Sequence, residues 1–159
     1  MATAPLGSFN WIYRNVAQND AEALRWYRLA AEQGYAAAQF NLGVLSDGRL
    51  DDNGYAIEGN RAEAIKWLLA AAEQGLPRAQ RRLAELYAGG PNASGNFENA
   101  CAWFLLATHN SRDIHRDQAR SGYERVATRL TPSQLTEAKR LAGLWRAQRN
   151  HATLQLSER

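Results

Sequence analysis

EALRWYRLAAEQG at residues 22–34 returns as EAIKWLLAAAEQG at residues 63–75, and ENACAWFLLA at residues 98–107 opens the same frame again. Trp26, Trp67 and Trp103 stand 41 and 36 residues apart. Seven residues before each lies an asparagine: Asn19, Asn60 and Asn96. Three residues before each lies an alanine (Ala23, Ala64, Ala100), and four after each another (Ala30, Ala71, Ala107). One register held three times is an internal repeat of the length that builds solenoids.

Each asparagine sits where a helix N-cap is needed, its side chain accepting from a free N–H of the first turn. Glu22 and Glu63, three residues on, approach a capping box. Gly34 and Gly75 follow the last helical residues, where a left-handed backbone is cheapest for glycine. Each phrase is therefore a helix of about four turns, closed at both ends. A partner helix precedes each one. Leu6, Leu42 and Leu83 hold its matching position, followed by Gly7, Gly43 and Ala84, whose small size lets a neighbouring helix come close. The second unit is five residues longer than its neighbours, the extra length falling in the polar loop SDGRLDDNGYAIEGN at residues 46–60.

Beyond residue 110 the repeat stops. Ile114, Ala119, Tyr123, Val126 and Leu130 read as one apolar helix face over 113–130. TPSQ at residues 131–134 then opens another helix, with Thr131 as N-cap, Pro132 in the first turn and Gln134 in the third position. Its buried stripe reads Leu135, Ala138, Leu141, Ala142 and Trp145. An end pair that departs from the repeat is what a stack needs, since its outer side faces water. The last residues, RNHATLQLSER, read as a frayed tail from about 151 to 159.

A-x-x-x-L-G-x-x-Y, then a glycine-bearing loop, then D/N-x-x-x-A-x-x-W-Y-x-x-A-A-x-x-G resembles the Sel-one-like repeat family, relatives of the tetratricopeptide repeats. Ala38, Leu42 and Gly43 carry the likeness, with Ala23, Trp26, Tyr27, Ala30, Ala31 and Gly34; Ala79, Leu83, Tyr87 and Gly90 carry it in the third unit. Asn10 and Ser46 depart from it at the tyrosine position, and Pro5 falls inside the first helix. RVATRLTPSQLTEAKRLAGLW is similar to the way bacterial members end. The resemblance implies an all-α, right-handed superhelical solenoid of antiparallel helix pairs. That means three repeats at about 2–34, 36–75 and 77–109, then capping helices at about 113–130 and 132–148, as a single domain over 1–150. It also implies a bacterial, non-enzymatic adaptor that binds another protein or peptide in its concave groove.

By analogy with the tetratricopeptide groove, the first helix of each pair lines that surface. Arg78, Arg81, Arg82 and Glu85 would project inward from PRAQRRLAELY, with Asn41 from the preceding unit. Arginine forks suit a carboxylate or an acidic side chain; a solvated charged face is the competing reading. Arg116 and Arg120 would continue the basic lining. Trp11 has no equivalent in the other units and is a candidate for the groove, with burial as its alternative. Trp26, Trp67 and Trp103, set beside small alanines, are expected to fill the seams between helices, each ring burying on the order of 200 Å².

Other chemistry finds little footing. The net charge is +3, with ten bases against five acids in residues 112–159. Nucleic-acid binding through the arginine-rich C-terminal helices is the alternative these bases raise, since neutralising phosphates needs such clusters, yet Asp113, Asp117 and Glu124 interleave them and aromatic stacking partners are not evident. DDNGYAIE at residues 51–58, aligned on Gly54 as a calcium-loop glycine, puts Arg49 in the first ligand place and Asn60 in the last, which argues against calcium and for a polar insertion. His109, His115 and His151 make no H-E-x-x-H spacing. Cys101 is the single cysteine, which excludes an intrachain disulfide; inside a repeat helix it reads as a buried thiol. Asn92-Ala93-Ser94 matches a glycosylation triplet, out of place in a chain of bacterial character. No cofactor, metal ligand set or catalytic group is expected. The rival is an enzyme or small-molecule binder acting on cell-wall fragments, for which a cavity edged by a histidine and a carboxylate would argue. MATAPLGSFNWIYRN lacks the charged start and apolar run of a secretory signal, so a cytoplasmic protein is expected from the chain as given, a periplasmic one if a leader has been removed.

Overall fold

A computed structural model describes residues 22, 24–48, 59–89 and 96–157. Helices α1 (residues 24–32), α2 (Ala36–Ser46), α3 (Arg61–Glu73), α4 (Pro77–Ala88), α5 (Phe97–Asn110), α6 (Asp113–Ala127) and α7 (Pro132–Ser157) follow in chain order, with no strand among the described residues. Successive helices from α2 to α6 pack against each other, and α7 lies against α5. The result is an all-α repeat stack. Leu6, Trp11 and Asn19, the first helix of the first pair, the loop over 49–58 and Asn92-Ala93-Ser94 lie outside the described residues.

Local chemistry sets the helix ends. The Asn60 side chain accepts from the Glu63 N–H at 3.0 Å, and Asn96 accepts from the Asn99 N–H at 3.0 Å, so each satisfies a first-turn donor. Glu63 does not reach back to Asn60; its carboxylate accepts instead from Arg28 at 3.0 Å and from the Trp67 indole N–H at 3.4 Å. The full reciprocal box forms at α7, where Gln134 N–H donates to Thr131 Oγ1 at 3.3 Å and Thr131 N–H donates to Gln134 Oε1 at 3.0 Å. Gly34 and Gly75 stop α1 and α3 with φ of 90° and 88°. Pairing depends on small residues. A Cβ on Gly43 would stand 2.7 Å from the Leu68 side chain.

One core runs through α3, α4, α5, α6 and α7, built on Leu68, Leu83, Trp103, Phe104, Val126 and Ala138. A smaller cluster of Ala31, Ala38 and Leu42 joins α1 to α2, with Trp67 against it. The repeated tryptophans therefore differ. Trp103 is buried and stacks on Trp145 with ring centroids 4.4 Å apart. Trp67 is half-buried. Trp26, expected in a seam, is 64% exposed. The expectation fails there because Trp67 rests on the preceding unit, and no described helix stands in that place for Trp26.

Two further expectations give way. Ile114 is 65% exposed. The buried seam of α6 is Ala119, Gly122 and Val126, and Ile114, five residues before Ala119, points about 140° away at 100° per residue. The tail read as frayed is helical through Ser157, since no glycine or proline follows Trp145 to end the helix.

Candidate functional site

The residues proposed from sequence divide among three helices, α2, α4 and α6, with Trp11 apart from them in sequence. Arg78, Arg81, Arg82 and Glu85 lie together on α4, and Asn41 is half-buried on α2. Arg78 is exposed and stacks its guanidinium over the Phe40 ring at 5.2 Å, so α4 runs beside α2. Arg81 donates to Glu85 at 2.5 Å; Arg82 donates to Glu85 at 3.2 Å and to Asp47 at 2.7 Å. The arginine forks are thus occupied by acids of the chain itself, and Asp47 is a partner the sequence reading did not name. Arg116 donates to the Ser111 carbonyl at 3.2 Å and Arg120 to Glu124 at 3.1 Å, both from the exposed side of α6. Trp11 is outside the described residues.

A marked concavity lies elsewhere. A cleft of about 480 Å³ opens between α3, α5 and α7. Trp103 and Trp145 wall it, Leu69 and Leu106 line it, and Glu73 and Arg146 stand among its polar groups. Tyr87 reaches it from α4, its phenol pushed above the ordinary range by burial. Among the described residues, none of those proposed from sequence lines it. A smaller cleft of about 260 Å³ follows between α5 and α7, lined by His109, Lys139 and Arg146 among others. The larger has a carboxylate and no histidine, the smaller a histidine and no carboxylate.

Beneath the larger cleft runs a chain of amides that the sequence reading missed. Gln80 is buried; its Nε2 donates to the Ala72 carbonyl at 3.1 Å, and its Oε1 accepts from Asn110 at 3.0 Å. Asn110 in turn accepts from Arg149 at 3.3 Å. The same pattern stands one unit earlier, where Gln39 donates to the Ala31 carbonyl at 3.1 Å and accepts from Gln74 at 2.8 Å. Each glutamine ties the first helix of one unit to a carbonyl at the end of the unit before it, adding a second donor to the turn-glycine N–H that Ala31 and Ala72 already accept at 3.0 and 2.9 Å. The signal was legible: Gln39 and Gln80 both fall five residues after the turn glycines Gly34 and Gly75. Buried glutamine carries no helical periodicity of its own, so apolar patterning does not mark it.

Cys101 is fully buried in α5. Burial pushes its thiol up to about 11, with Lys139 pulling the other way, so the thiolate that nucleophilic chemistry needs is disfavoured. Among the described residues no three histidine, cysteine or acidic side chains converge as a metal site, and no helix is long and apolar enough to cross a membrane.

The Sel1 repeat model matches residues 13–35, 36–76 and 77–110, well over half of the chain. The chain belongs to the Sel1-repeat family. Sel1-repeat proteins generally mediate protein–protein interaction, and their fold is a typically non-catalytic scaffold. Solved structures similar to this Sel1-repeat chain include c5321, a protective antigen of uropathogenic Escherichia coli strains with an SLR fold. It is 31% identical at a TM-score of 0.64, over 77% of this chain and 24% of that one. A Sel1 repeat protein from Oxalobacter formigenes is 33% identical at a TM-score of 0.50, over 63% of this chain and 36% of that one. The Sel1-repeat chain thus spans about a quarter to a third of the lengths of these relatives. No curated protein matches it.

Proposed function

We propose that this chain is a non-catalytic binding module that holds a segment of a partner protein in the cleft between α3, α5 and α7. The observation that carries the reading is that cleft of about 480 Å³, walled by the Trp103–Trp145 stack. An apolar concavity with a few convergent polar groups is the usual form of a binding site, and tryptophan is among the residues that dominate binding energy at interfaces. Among the described residues, the larger cleft is lined by one carboxylate, Glu73, with no histidine, cysteine or second acid beside it, which supports binding over general acid–base catalysis.

The test is site-specific photo-cross-linking, with a benzophenone amino acid placed at Gln148 on the rim of the cleft, at Arg81 on α4, or at Arg120 on α6. In cells of the source organism, adducts are expected from position 148 alone. Adducts from position 81 and none from 148 would transfer the site to α4. That second reading is favoured by Arg78, which among the described residues is the α4 arginine with no acid partner, facing the ring of Phe40.

A further inference from the structure

Three glycines lie inside the described helices, and packing explains two. A Cβ on Gly43 would stand 2.7 Å from Leu68, and one on Gly122 would stand 2.3 Å from the Phe104 ring. Gly143, in the interior of α7, would meet nothing within 4 Å. It is exposed, and glycine is among the poorest helix formers, so neither the helix nor its neighbours require it. Its location is the unusual fact. Gly143 lines the smaller cleft, and Arg146, one turn further along α7, borders both clefts.

Charge at these clefts is one-sided. Lys139, Arg146 and Arg149 stand on the α7 side, while Glu73 is the one carboxylate among all the residues lining the two. Lys139 and Arg146 enter no ion pair among the described residues. The contrast with α4 is direct, because there Arg81 and Arg82 are already paired with acids of the chain. Beside Gly143, Leu144 is 45% exposed.

We propose that the two clefts form one continuous surface for an acidic peptide segment of a partner protein. One apolar side chain of the segment enters the tryptophan-walled cleft. A carboxylate of the segment lies on Arg146. Its backbone crosses α7 at Gly143, where the missing Cβ admits close approach. This rests on the reading that the α3–α5–α7 cleft is the partner site, and adds to it the partner's charge and path.

The probes are fluorescein-labelled peptides of about twelve residues, long enough in extended form to cross both clefts. Each carries two leucines or phenylalanines at varied spacing, in a Glu/Ser, a Gln/Ser or a Lys/Ser background, and is titrated by fluorescence anisotropy. The acidic set is expected to bind at least tenfold tighter than the neutral set, with the basic set weakest. Arg146→Glu should reverse that order. Gly143→Leu should weaken the acidic set at least tenfold while the thermal transition holds or rises, and Gly143→Ala should weaken it less. An acidic preference that survives Arg146→Glu, or wild-type affinity in Gly143→Leu, overturns the inference while leaving the cleft a peptide site. Failure of all three sets to bind the unaltered protein overturns both readings.

Discussion

Gln80→Met is the most informative single change in the stack. Methionine keeps the length of the side chain, so what is lost is the pair of hydrogen bonds at 3.1 Å to the Ala72 carbonyl and at 3.0 Å from Asn110. Ala72 keeps the bond from the Gly75 N–H at 2.9 Å, and half-buried Asn110 can turn its amide to water. No buried group is left wholly unpaired, and the loss is therefore two net hydrogen bonds at about 1 kcal/mol each. For a domain of this size about 2 kcal/mol lowers the thermal midpoint by roughly 4–8 °C. Urea and thermal unfolding followed by far-ultraviolet circular dichroism read both quantities. A double-mutant cycle with Asn110→Ala should return a coupling of about 1 kcal/mol. Because Gln80 reaches back to α3 and is held by α5, the loss falls on the junction between units, where a repeat stack transmits its cooperativity. A loss below about 0.5 kcal/mol with no coupling to Asn110 would refute the reasoning, since uncoupled surface changes usually have effects of that size.

The two glycine-to-alanine changes should have opposite signs. Gly122→Ala forces a Cβ to within 2.3 Å of the Phe104 ring, so unfolding free energy should fall by about 1–3 kcal/mol, whereas Gly143→Ala meets nothing and should add roughly 0.5–1 kcal/mol. Equal effects in chemical denaturation would contradict the packing described. Cys101 should resist a thiol reagent at pH 8 in the folded protein and react fully in denaturant; rapid reaction without unfolding would place the thiol at the surface. Its folded pKa of about 11 exceeds the ordinary 9.0, so an unfolded chain loses that proton first as pH rises. Stability from this group is complete below about pH 9 and drains away towards 11, a slope that Cys101→Ala should flatten. Arg82→Glu sets three carboxylates together with Asp47 and Glu85, and the resulting destabilisation should shrink in high salt; an effect indifferent to salt would point to packing instead.

Features decided by short-range chemistry were legible in the chain alone. Asn60, Asn96 and Thr131 cap helices because the N–H groups they accept from lie within three residues, and Gly34 and Gly75 end helices through their own φ. Leu42, Leu83 and Ala84 were legible as core because the repeat places them in the same register each time, and each is buried. Identical local text did not guarantee identical surroundings. Trp103 is sealed by Trp145 while Trp26, in the same frame, is largely exposed, because burial belongs to the neighbour and not to the residue. Nor could spacing along α4 reveal that Asp47, on the turn after α2, would occupy the fork of Arg82, or that the main cleft would open between α3, α5 and α7. Those outcomes rest on contacts between residues 30 to 80 positions apart, and only the packing of whole helices brings such residues within reach.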